Sequence, residues 1–386
     1  MAVPYWRLSS FYFCYFAALG AFIPYWSLYL KENGFNPTEI GQLSAFLVGT
    51  KIIAPNLWGW VADHTRKNLR IIRWTSFFAA LLFAGFLAIN NYVEFAWLTI
   101  GFSFFWNAPL PLYEATTLSH LQVDSHRYSR IRLWGSVGFI FTVVGIGKLL
   151  DSQPIGLLPI LITGLLALTW LTTIVTPESR IVVSHDHSPI NIVSIIKKPE
   201  VLAFLLVYVL IQFAHAPYYV FYSIYLKQHL YSTTATGLLW SLGVIAEIVL
   251  FVFMKGLLKR YSLRGILLMS LIFAIVRWVL IGSYVDNIGL LMFAQLLHAA
   301  TYGGTHIAGI HFVQRFFDQQ HQGKGQALYH SLSFGLGGML GSLGSGYYWE
   351  PLGSHVIFSV AAVSCGIAFV VAFIWVGRSE NLLHLR

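Results

Sequence analysis

Five charged side chains interrupt the long apolar runs of this 386-residue chain: Lys51, Glu114, Arg132, Glu247 and Arg277. Four histidines, His215, His298, His306 and His311, join them. An ionisable group in lipid costs about 2.5–3.5 kcal/mol on insertion scales, so those that persist face a protein interior, pair, and mark substrate or proton pathways. Two acids and three bases predict that Glu114 pairs with Arg132 and Glu247 with Arg277, across a central cavity. Helix association needs only small residues and neutral hydrogen bonds, and buried ion pairs seldom add net stability, so a polar pathway explains these charges better than glue. Carboxylates and imidazoles can change protonation inside a membrane, which a proton-coupled cycle requires. Lys51 and the two arginines make the expected cavity partly cationic, which suits a carboxylate ligand.

The elements that must position these groups follow from composition. Hydrophobic residues make up 57% of the chain and charged residues 10%, against about 25% charged in a soluble domain. A water-soluble enzyme is excluded. The net charge of +9 has no soluble basic domain to serve, so no nucleic-acid partner is expected. Cys14 and Cys365 lie in apolar runs, which rules out a disulfide framework. Twelve apolar runs are predicted as membrane spans, at 8–30, 40–62, 71–89, 93–117, 132–150, 156–176, 201–226, 235–254, 265–284, 288–313, 326–348 and 355–377. The first follows Arg7 and is too long for a signal-peptide core. Of the 24 Lys and Arg residues, 19 fall in one alternate set of connections and three, Lys31, Lys148 and Lys227, in the other. This asymmetry predicts a multi-pass membrane protein with both termini cytoplasmic.

The polar stretch 177–200 reads as a cytoplasmic linker between six-helix bundles at 1–176 and 201–386. Its His185 and His187 are read as solvated loop residues rather than metal ligands. Repetition supports the division: Trp26-Ser27-Leu28-Tyr29-Leu30-Lys31 recurs 196 positions later as Tyr222-Ser223-Ile224-Tyr225-Leu226-Lys227, and Gly41 recurs as Gly237. Such duplication is common among secondary transporters. Aromatic clusters around Tyr25 and Tyr219 could stack on a sugar or an aromatic ligand. Prolines 109, 111 and 217 and the glycines of 335–346 allow bending and sliding.

Gly59-Trp60-Val61-Ala62-Asp63-His64-Thr65-Arg66-Lys67 resembles the cytoplasmic signature loop of the major facilitator superfamily, with Thr65 or Arg66 where that family often has glycine. The resemblance implies a gating role for Gly59, Asp63, Arg66 and Lys67. Tyr113-Glu114-Ala115 followed by Arg130-Ile131-Arg132 is similar to the helix 4–5 region of the lactose permease group of proton symporters. That likeness implies substrate binding by Glu114 and Arg132, with Phe139 stacking on the ligand. Glu247, Arg277 and His298 resemble the same group's acid, arginine and histidine of helices 8 to 10. Thr301 stands where that group carries its coupling carboxylate, Gln295 where it has a lysine, and His215 where it has paired aspartates.

Nearly the whole chain resembles the phenylpropionate permease group. The phrases that carry the likeness include Ile23-Pro24-Tyr25-Trp26, Arg132-Leu133-Trp134-Gly135-Ser136, His215-Ala216-Pro217-Tyr218-Tyr219 and Leu297-His298-Ala299-Ala300-Thr301. It implies an all-α major facilitator fold, a place in the bacterial inner membrane and import of a small organic acid with protons. The expected substrate contacts are Glu114, Arg132, Phe139, Tyr25, Lys51, His215 and Tyr219. Glu247, Arg277 and His298 carry coupling, the proton is the coupling ion and no other cofactor is expected. The partners expected are a small molecule, an organic acid or alternatively a sugar or nucleoside, and membrane lipid; the chain itself is expected to be a monomer.

Overall fold

The computed structural model describes residues 3–178, 192–318 and 321–377, and these are helical with no strand among them. His185 and His187 lie outside the described residues. Contacts divide the chain into two units, Met1–Ser184 with Leu226–Ser241, and His185–Tyr225 with Leu242–Arg386.

The first unit is built on α1 (Tyr5–Glu32), whose 28 residues span about 42 Å at the α-helical rise, ample for a bilayer core. Next come α2 (Pro37–Gly49), α3 (Ala54–Thr65), α4 (Asn68–Ala84), α5 (Tyr92–Trp106), α6 (Pro109–Leu121), α7 (Tyr128–Leu150) and α8 (Leu158–Val175). Helix α1 packs chiefly against α7 and α8, and α4 against α8 and α5. The start of α2 is set by sequence: Asn36 and Glu39 form a reciprocal capping box, with proline at the first turn. Arg73 on α4 donates to the carbonyls of Thr173 (3.2 Å) and Thr176 (3.1 Å), so a cation satisfies the C-terminal end of α8.

In the second unit, α9 (Ile192–Ile196), α10 (Pro199–Gln228), α11 (Thr233–Arg260), α12 (Leu263–Ser283), α13 (Ile288–Leu296), α14 (Thr305–Phe316), α15 (Gln322–His330) and α16 (Gly338–Trp375) follow in order. The facing ends of α10 and α11 belong to the first unit. Phe204, Tyr208, Leu267, Leu271, Phe312 and Tyr329 form the centre of a buried cluster. Large apolar side chains such as Trp97, Phe141, Val252 and Val363 are exposed; on a membrane protein that face meets lipid rather than water.

Eight helical stretches among the described residues are long and apolar enough to cross a membrane. Three further runs are each interrupted at mid-length. A 3-10 turn at Thr50–Ile52 divides α2 from α3, where proline enters the first turn of α3. Residues 107–108 divide α5 from α6 at Pro109, and a π-helical segment, Ala299–Gly304, lies between α13 and α14. Proline withholds a donor, and π turns add a residue to the helical ring. The stretch Gln322–Trp375 contains the last two runs, separated at Gly353, whose φ of 79° breaks the helix within α16. This arrangement is consistent with the twelve runs read from the sequence.

Candidate functional site

Each unit holds one cluster of the ionisable groups picked out by sequence. In the first unit Glu114 on α6 meets Arg132 on α7, Oε1 to Nε 3.8 Å, with the two side chains 38% and 31% exposed. This distance makes an ion pair but not a hydrogen bond. The Arg132 guanidinium lies over the Phe16 ring at 3.9 Å, and Tyr12 is 5.8 Å away. Tyr12 donates to the Thr117 hydroxyl at 3.1 Å, and Tyr15 stacks on Trp106 at 4.2 Å. A cation held by ring faces and a loosely met carboxylate leave both charged groups with hydrogen-bonding capacity for a ligand.

The other residues expected to join this pair are dispersed. Phe139 is buried on α7, with its backbone against Gly20 of α1. Tyr25 is fully buried and donates to the Val143 carbonyl at 2.7 Å, with the Thr233 carbonyl at 3.4 Å, so its hydroxyl ties α1 to α7. Lys51 sits in the 3-10 turn, with no acid at ion-pair distance among the described residues. Beside it a polar knot spans the two broken helices: Asn107 donates to the Thr50 hydroxyl at 2.8 Å, and Thr50 to Ser103 at 3.0 Å.

In the signature loop, Arg66 closes α3 at φ 54°, the left-handed conformation usually left to glycine. Nothing packs where a Gly59 Cβ would stand, and Asp63 has no basic partner at ion-pair distance among the described residues.

The second unit gathers its residues more tightly. Glu247 on α11 stands 4.0 Å from His298 Nε2, the side chains being 18% and 9% exposed. Gly243 and Gly303 make this approach possible: a Cβ on Gly243 would stand 3.3 Å from the His298 ring, and one on Gly303 3.2 Å from Glu247 Cγ. Arg277 does not pair with Glu247 as the sequence suggested. Its guanidinium, 0% exposed, donates through Nη1 to the Thr301 hydroxyl at 3.2 Å and lies over the rings of Tyr218 (4.4 Å) and Trp278 (4.6 Å). Its Nε and Nη2 have no acceptor, and no acid stands at ion-pair distance among the described residues. The physical reason lies at Thr301, where a hydroxyl replaces the carboxylate of the permease pattern and leaves the arginine's charge unanswered.

His215 is buried beside this group. It holds the Ile211 carbonyl through Nδ1 at 2.8 Å and meets the edge of Trp278 at 4.9 Å; Tyr219 stacks 6.2 Å away. Gln295, fully buried, accepts from Tyr218 at 2.9 Å and donates to Tyr222 at 2.7 Å. An amide here bridges two phenols without adding a second cation beside Arg277.

Sequence reading passed over Asp151, which follows α7. It accepts from the N–H groups of Thr233 (2.8 Å) and Thr234 (3.2 Å) and from the Thr234 hydroxyl, capping the N-terminus of α11. Desolvation works against its charge, but the hydrogen bonds outweigh it and hold the carboxyl below its usual range. Nearby Glu32 pairs with Lys227 at 3.5 Å. No local motif announces Asp151; the signal is only a carboxylate at one helix end and Thr-Thr at the start of another. Tyr302 was missed as well, although it falls midway between His298 and His306 at four-residue steps. Among the described residues no three metal-ligating side chains come together.

Comparison with known proteins agrees with this architecture. A probable 3-phenylpropionic acid transporter of Escherichia coli is 30% identical over 382 residues, covering 94% of this chain and 96% of its own. The maltose permease of Geobacillus stearothermophilus is 34% identical over 142 residues, 36% of each chain. The crystal structure of a mutant of the nucleoside transporter NupG superposes with a TM-score of 0.83 at 18% identity, over 96% of this chain and 98% of that one, which speaks for the fold. The model of the MFS_1 like family matches residues 5–360. Ionisable groups set among long apolar helices, an all-helical multi-pass architecture and this match lead to one conclusion: the chain belongs to the MFS_1 like family and is a membrane transporter of the major facilitator fold, not an enzyme.

Proposed function

We propose that this transporter imports a small organic anion of the arylpropionate kind together with protons. It works by alternating access as a monomer in a bacterial inner membrane, with both termini cytoplasmic. The observation that carries the reading is Arg277: a fully buried guanidinium with two N–H groups unfilled and no acid beside it. Leaving such groups unmet is costly, and Nε and Nη2 form one edge of the guanidinium, the fork that a carboxylate fills with two parallel hydrogen bonds. Lys51 in the first unit likewise lacks an acid partner among the described residues, so the surplus charge in both units is positive. An anion answers that surplus and a neutral sugar does not.

Glu247 and His298 supply the proton site. A carboxyl beside an imidazole in a mostly buried setting can trade one proton at little cost in net charge. One proton carried with one carboxylate makes the cycle electroneutral. Within the second unit, Tyr219 and His215 join Arg277 as substrate contacts in this reading, and Glu114 with Arg132 are the first unit's own candidate contacts.

A second reading, symport of a sugar or nucleoside, is favoured by the Glu114–Arg132 pair flanked by rings and by the partial likeness to a maltose permease. Uptake of labelled 3-phenylpropionate and of a galactoside into proteoliposomes, each under an inward proton gradient, separates the two. Accumulation of the acid, lost in Arg277→Gln, is the expected result. Galactoside accumulation without the acid would overturn the anion reading.

A further inference from the structure

The coupling reading uses Glu247 and His298 but leaves unexplained what lies beyond them. His298, Tyr302 and His306 recur every four residues and so project from one face of the helical run α13 to α14. Their rings are nearly parallel: His298 to Tyr302 is 5.3 Å at 7°, and Tyr302 to His306 is 6.1 Å at 4°. His330 on α15 continues the column 6.4 Å from His306. Exposure rises along it, from buried His298 through half-buried Tyr302 and His306 to exposed His330.

The column begins at the acid. Glu247 reaches His298 Nε2 at 4.0 Å and packs on Gly303, directly after Tyr302, where any side chain would push it away. Both carrying helices turn π-helical beside the column, at Ala299–Gly304 and Ser331–Gly337, and such segments occur frequently at functional sites. Packing alone does not explain the residue types. Phenylalanine would fill the same space, whereas imidazoles in a membrane span are costly unless used. The other titratable groups near the column are His215, Tyr218 and Tyr219 from α10, Arg277 from α12 and Tyr329 from α15.

We propose that His298, Tyr302, His306 and His330 form the path by which the coupling proton travels between Glu247 and water. The path rests on the proton-coupled reading and extends it. On the way out, the O–H bond of Glu247 breaks as His298 Nε2 gains the proton, and His298 gives up its other proton from Nδ1. The Tyr302 oxygen accepts one proton as it releases its own, and His306 and His330 repeat the exchange through their two nitrogens. One proton reaches water, Glu247 is left as the carboxylate, and Tyr302 and the three imidazoles end neutral, the imidazoles in the opposite tautomer, which the return passage of a proton resets. The ring centroids stand 5.3, 6.1 and 6.4 Å apart, so the path requires a bridging water between one ring edge and the next.

The test uses the full chain in proteoliposomes holding a pH-sensitive dye, with labelled 3-phenylpropionate as probe. Two modes are read: uptake driven by an inward proton gradient, and exchange of external label for internal unlabelled acid at equal pH. Tyr302→Phe and His306→Gln are expected to cut driven uptake and internal acidification about 100-fold, the usual worth of a positioned proton-transfer group, while exchange continues at the parent's rate. His330→Gln, at the exposed end of the column, is expected to lose less. Driven uptake and acidification at parent rates in both Tyr302→Phe and His306→Gln overturn the path. So does exchange lost in step with driven uptake, which makes these groups substrate contacts or packing. Uptake by the parent with no acidification overturns the proton-coupled reading itself, and shows before any variant is made.

Discussion

Glu114 with Arg132 in the first unit, and Glu247 with Arg277 and His298 in the second, are both clusters of ionisable groups, yet their chemistry differs. In the first unit the opposite charges meet at 3.8 Å while about a third of each side chain remains exposed. In the second the acid stands by a histidine, and the arginine, wholly buried, is held by a threonine hydroxyl and two aromatic side chains, with no acid at ion-pair distance among the described residues. An ion pair in a wet setting contributes about 0–1 kcal/mol, so it can open and close around a ligand without endangering the fold. A buried charge without its counter-ion is a standing cost, tolerable where a ligand or a proton relieves it. The difference points to an adaptable cluster in one unit and a charge-sensing one in the other.

Arg277 is where that contrast breaks most sharply. Replacing it by Gln is expected to lower kcat/KM for anion uptake about 100-fold or more, the equivalent of losing about 3 kcal/mol of charge-assisted hydrogen bonding. Lysine, which lacks the fork, should rescue little of it. Initial rates in proteoliposomes measure both. An Arg277→Gln protein with the parent's KM would place the anion elsewhere.

Glu247→Gln comes next. Accumulation against a gradient is expected to fall about 100-fold, with equal-pH exchange preserved. Concentrative uptake by that variant would move the proton to another group.

Smaller effects belong to carboxylates whose work is mainly structural. Asp151→Asn should cost about 1 kcal/mol at neutral pH through the weakened cap of α11. Because hydrogen bonds hold the Asp151 carboxyl below its usual range, its contribution is fully present above pH ~3.9, the unfolded value, and disappears as pH falls through the lowered folded value. Thermal denaturation in detergent across that range should therefore find parent and variant converging only at the acid end. Glu114→Gln should shift the same denaturation by less than about 1 kcal/mol. A larger loss would show that the first cluster, too, is a fixed structural pair, and would erase the contrast with the second.

Much of this architecture was legible in advance because lipid imposes a simple demand. Every spanning segment must bury its own backbone hydrogen bonds, so long apolar runs become helices and their count survives folding. Even the interrupted spans carried a local signal where proline did the breaking, as at Pro109. The π-helical segment at Ala299–Gly304 had none, since its geometry is imposed by neighbours rather than by the residues within it.

Partnership divides along the same line. Glu114 and Arg132 sit on helices adjacent in sequence and were paired correctly from the sequence. Glu247 and Arg277 looked equally complementary, but the second unit aims Glu247 at His298 and Gly303 and leaves Arg277 to Thr301. Opposite charge states only that two groups could meet. Which ones do is set by helix rotation and by the glycines that permit close approach.

The amino-acid order by itself determined the number and extent of the apolar spans and which polar residues had to be accommodated among them, because transfer into lipid is decided segment by segment. Only the tertiary structure decided that Arg277 is left with an open fork, that Asp151 caps a helix 82 positions away at Thr233, and that His298, Tyr302 and His306 run on to His330. Such contacts join segments distant in the chain, and their distances depend on how whole helices pack rather than on any local pattern.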